Sequence, residues 1–68
     1  MLKVDARGMS CPQPVLMTKN ALEKNPKGVV VYVDNETAVM NIKRFTNLNG
    51  YKINVEEKDE DFVLEIVK

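Results

Sequence analysis

The chain has no histidine and no tryptophan, and only one cysteine in 68 residues. The missing histidine removes both a Cys–His catalytic pair and the commonest metal ligand. A single cysteine allows neither an internal disulfide nor a cysteine-rich zinc site. Charge of one sign is also missing, since 10 basic residues balance 10 acidic ones. A dedicated nucleic-acid binder needs a basic excess, so the balance argues against that class. No apolar run reaches membrane-spanning length, and the opening "MLKVDARG" has no apolar core of a signal peptide. The expectation is a cytoplasmic, reducing setting with no membrane partner. The length allows one domain, residues 1–68, with one modest core and no enclosed pocket for a large cofactor. No cofactor and no resident metal are expected.

What is present divides cleanly into elements. Leu2 to Asp5 reads as a first strand that leaves through Arg7-Gly8. Pro12 to Lys24 reads as a helix with Val15, Thr18 and Leu22 on one face and Pro14 and Ala21 beside them. Asn25-Pro26 stops it, and Gly28 completes the turn. "VVVYV" at 29–33 is a continuous β-branched run, the pattern of a strand inside a sheet. Asn35 is a good N-cap for a second helix over 36–49, with Ala38, Ile42, Phe45 and Leu48 at helical spacing and Gly50 closing it. "YKINVE" at 51–56 and "FVLEIV" at 62–67 alternate and form a hairpin. The acidic run "EEKDED" at 56–61 between them reads as a solvated turn. The order is βαβαββ, an α+β two-layer sandwich. Right-handed crossovers put both helices on one face, with both helix starts at the same sheet edge. Cys11 and the "DNET" segment at 34–37 are expected together there.

Cys11 sits in "RGMSCPQP", between Gly8 and the prolines Pro12 and Pro14. Pro12 suits the first helical position, which places Cys11 at the N-cap. There the amide of Gln13 and the positive helix end favour a thiolate. Arg7 adds positive potential, and Pro14 stiffens the first turn. Asp5 is read as orienting this loop, while Asp34 and Asn35 are read as capping residues first and site residues second. The alternative is a buried, purely structural cysteine. Without a second thiol, a reactive Cys11 accepts sulfur but cannot resolve it internally. That points to a carrier that hands its cargo to another protein, rather than a stand-alone turnover enzyme.

The pattern "DARGMSCPQP" at 5–14 resembles the signature of the TusA/SirA-like sulfur-carrier family, and the resemblance runs on through Gly28, "VDNETAVMNI" at 33–42, Gly50 and Lys68. It implies a sheet of strand order 1-2-4-3 and a persulfide-bearing cysteine at Cys11, in a CPxP motif. It also implies a cysteine desulfurase as sulfur donor and a downstream acceptor protein. The "DNETAV" version, with Tyr51 after Gly50, is similar to the N-terminal domain of YedF-type proteins of selenium metabolism. That likeness implies a longer protein with a fused DsrE-like domain, and possible selenium cargo. Two other classes stand beside the carrier. One is an interaction or regulatory domain with a structural cysteine. The other is an RNA-binding module, which the lack of basic excess and of stacking aromatics disfavours. Met9, Met17 and Met40 read as core filler or surface contacts rather than a soft-metal site. Lys19, Lys43 and Arg44 read as solvated helix faces.

Overall fold

A computed structural model describes residues 2–9 and 13–68. The elements are β1 (Leu2–Asp5), α1 (Gln13–Lys24), β2 (Gly28–Val33), α2 (Glu36–Leu48), β3 (Lys52–Lys58) and β4 (Asp61–Val67). The sheet order is β1-β2-β4-β3, with β1 and β2 parallel and β4 antiparallel to both of its neighbours. The expected βαβαββ sandwich is therefore present, and the last strand lies inside the sheet.

Strand alternation explains how the faces are used. Val29, Val31 and Val33 of β2 stand opposite Ile66, Leu64 and Phe62 of β4. All of these but the half-buried Phe62 are fully buried. Ala21 and Leu22 of α1 and Ala38, Val39 and Ile42 of α2 close the same cluster, so both helices cover one face. Val4, Ile53 and Val55 pack against its flanks. The other face carries the alternate residues: Lys3 and Asp5, Val30 and Tyr32, Val63 and Glu65, Asn54 and Glu56, in register across four strands.

Local chemistry ends each helix where the residues indicate. Asn25 accepts the Gly28 amide at 3.1 Å in the turn after α1. After α2, Gly50 takes φ 77° and the Tyr51 amide reaches the Thr46 carbonyl at 2.9 Å, the long bond of a Schellman cap. A β-carbon at Gly50 would meet nothing within 4 Å, so the demand for glycine there is purely conformational. The two buried threonines are satisfied inside their helices: Thr18 donates to the Pro14 carbonyl at 2.8 Å and Thr46 to the Lys43 carbonyl at 2.9 Å.

Two expectations need correction. Leu48 is 79% exposed rather than part of the apolar face. It lies six residues past Ile42, about a third of a turn off that residue's direction. The buried stripe runs instead through Ala38, Val39, Ile42 and Thr46. The hairpin strands are longer than expected, reaching Lys58 and Asp61, because a two-residue turn at Asp59-Glu60 joins them. Asp59 holds φ 57° there, a conformation that aspartate tolerates better than most residues. The helix expected from Pro12 is described from Gln13 onward. Cys11 and Pro12 lie outside the described residues, and so does the expected N-cap geometry.

Candidate functional site

β1 and β2 run parallel, so their carboxyl ends point to one edge, where the segment 6–9 and the start of α2 emerge. The base of that segment is held by the sheet. Ala6 is 1% exposed, and its amide extends the β1–β2 ladder to the Tyr32 carbonyl at 2.8 Å. Gly8 takes φ 76° with open space where a β-carbon would stand, so the chain turns there as only glycine does freely.

Two hydrogen-bonded systems then frame the segment. In the first, the Arg7 guanidinium grips Asp5 with Nε on Oδ1 at 2.9 Å and Nη2 on Oδ2 at 3.0 Å. The Arg7 backbone amide also donates to Asp5 Oδ1 at 3.1 Å. The remaining arm of the fork, Nη1, reaches Asp61 Oδ2 on β4 at 3.1 Å. In the second, the Gly8 amide donates to Asp34 Oδ2 at 2.8 Å. The Asn35 side-chain amide donates to Asp34 Oδ1 at 3.1 Å, and Asn35 Oδ1 accepts the Ala38 amide at 2.8 Å as the N-cap of α2. The segment after β1 is thereby bonded at Gly8 to the start of α2, while the expected approach of Cys11 to the "DNET" stretch lies outside the described residues.

The electrostatics follow these bonds. The Arg7 side chain, and then its backbone amide, hold the Asp5 carboxyl at about 2, below its ordinary value near 3.8. Arg7 is in turn pushed further up, chiefly by Asp5 and then by Asp61. The Gly8 amide, followed by the Asn35 side chain, lowers the Asp34 carboxyl. Arg7 thus faces two carboxylates, which compensate its positive charge. Its visible work is to tie a loop to two strands.

Of the nine residues singled out from the sequence, Asp5, Arg7, Gly8, Asp34 and Asn35 meet in this frame. Gln13 is exposed at the start of α1. Pro14 is buried in the first turn of α1, and its carbonyl accepts the Thr18 hydroxyl. Cys11 and Pro12 fall outside the described residues. Asp61 was missed. It sits in a run read as a solvated turn, and its partner Arg7 is 54 residues away. No local spacing links the two.

The arrangement defines a small two-layer α/β domain that ties Ala6, Arg7 and Gly8, directly after β1, to the sheet and to the start of α2. The chain belongs to the TusA sulfurtransferase family, whose profile, described as Sulfurtransferase TusA, matches residues 2–68. A protein of Methanocaldococcus jannaschii, named provisionally as a sulfur carrier, is 41% identical over 70 aligned positions, covering 100% of this chain and 93% of that one. The crystal structure of a SirA-like protein from Desulfitobacterium hafniense superposes with a TM-score of 0.91 at 35% identity, covering 98% of this chain and 96% of that one.

Proposed function

We propose that this chain is a sulfur carrier that holds a persulfide on Cys11. The reading rests on the family match over residues 2–68, which leaves the chain's single thiol as the group able to carry the cargo. The loading step is a thiol–persulfide exchange. The Cys11 thiolate attacks the outer sulfur of a persulfide on a cysteine desulfurase. A new S–S bond forms, the donor's S–S bond breaks, and the donor cysteine leaves as a thiolate. Unloading repeats the exchange: an acceptor thiolate takes the outer sulfur and frees the Cys11 thiolate. Neither step needs an outside oxidant or reductant, because one S–S bond replaces another. With no second thiol in the chain, the acceptor belongs to another domain or protein, such as a fused DsrE-like domain. Selenium cargo would require the same residue and the same exchange. A cytoplasmic setting fits a thiol that must stay reduced between cycles.

RNA binding fits less well. Tyr32 is the aromatic that register places on the open face, and the carboxylates of Asp5, Glu56 and Glu65 share that face.

The test is intact-mass measurement after incubation with a cysteine desulfurase and free cysteine. Wild-type chain should gain the mass of one sulfur, and Cys11→Ser should gain none while keeping its fold. A wild-type chain that gains no sulfur, and whose Cys11 resists alkylation in the native state, would make the cysteine structural.

A further inference from the structure

We propose that Asp61, at the start of β4, is a positioning residue for the segment that carries Cys11, acting by anchoring Arg7. The inference rests on the carrier reading above only for what the segment delivers. The anchoring itself is geometric. Asp5 alone could hold Arg7, because a bidentate carboxylate occupies only one edge of the guanidinium. A single clamp from Asp5 would fasten Arg7 to its own strand two residues back and leave the loop free to swing with it. The third arm reaches a different strand, β4, which is locked between β2 and β3. Arg7 is therefore held from two directions. The Gly8 amide, one residue on, is held from a third by Asp34.

Stability does not account for this arrangement. The side chains of Arg7 and Asp61 are 49% and 34% exposed, and pairs of that kind add little to folding. What a planar fork between two carboxylates supplies is direction. A partner protein must meet the outer sulfur of Cys11 in one geometry, and small misplacements of a reacting group are costly. The β3–β4 hairpin, remote in sequence, thus helps to orient the loop.

The experiment compares Asp61→Asn, which keeps the shape and removes the charge, with Asp61→Glu, which restores the charge. Three quantities are read: melting temperature, amide exchange at Arg7 and Gly8, and single-turnover sulfur transfer from persulfidated chain to a cognate acceptor. Asp61→Asn should melt close to wild type, exchange faster at Arg7 and Gly8, and transfer about tenfold more slowly. Asp61→Glu should recover most of both losses. Arg7→Lys, which also disturbs the fork on Asp5, should slow transfer at least as much, and adding Asp61→Asn to it should cost little more, since the Asp61 link is already broken. Unchanged amide exchange in Asp61→Asn overturns the proposal, as does a transfer loss that merely tracks lowered melting. If wild-type chain never takes up sulfur, the carrier reading fails by itself. The exchange measurements then still decide whether Asp61 anchors the loop.

Discussion

The helix-covered face of the sheet and its carboxyl edge are built by different physics. On the covered face, Val29, Val31, Val33, Ile42, Leu64 and Ile66 are fully buried and make no polar demands. At the edge, Asp5, Arg7, Gly8, Asp34 and Asn35 are all exposed, and hydrogen bonds, two of them within ion pairs, set how they meet. Burial is worth much and is indifferent to direction. Exposed hydrogen bonds are worth little in net stability but are strict about geometry. In this domain the two are spatially separate. Stability resides in the core and orientation at the edge.

The strongest way to break this comparison is to damage the core. Ile42→Ala removes a fully buried side chain of α2 from the core cluster and should destabilise by about 2–5 kcal/mol. Chemical denaturation measures the loss. The fraction that remains folded should still load sulfur at the wild-type rate. A slower rate per folded molecule would mean that core and edge are not separable.

Asn35→Ala probes the junction between the two regions, because Asn35 both caps α2 and steadies Asp34. Loss of the cap should cost about 1 kcal/mol. Unlike the core variant, this one should also speed amide exchange at Gly8, whose partner is Asp34. A stability loss without any change at Gly8 would confine Asn35 to capping.

The smallest expected effect is acid titration of the edge. Asp5 has its carboxyl lowered to about 2 in the folded chain, so the folded state binds this proton less readily than the unfolded one. Its contribution is complete above the ordinary aspartate value near 3.8 and is lost as pH falls through about 2. Asp34 is displaced in the same direction. Followed by NMR, the Arg7 amide should shift with a midpoint near the lowered Asp5 value. A midpoint at the ordinary value would show that the Asp5–Arg7 grip is absent in solution.

How much of this could be read along the chain depends on how far each signal reaches. The N-cap at Asn35, the stop at Asn25-Pro26 and the turn at Gly50 were legible, because capping and backbone preference act within a few residues. The alternation of β3 and β4 was legible for the same reason. Leu48 misleads because apolar character at roughly helical spacing does not ensure burial: it points about a third of a turn from Ile42, off the buried stripe. Val39 and Thr46 went unremarked, although they complete the true buried stripe.

By itself, then, the sequence determined the element order, the end of α1, the cap of α2, the single thiol and the placing of both helices on one face of the sheet. Those follow from local backbone preferences and from the handedness of the βαβ crossover. Only the tertiary structure decided that Asp61 would meet Arg7. It also decided which flank of α2 would face the sheet. These outcomes depend on strand register and on how two layers seat against each other. Both are settled by the packing of residues far apart in the chain, and no short window of sequence contains that information.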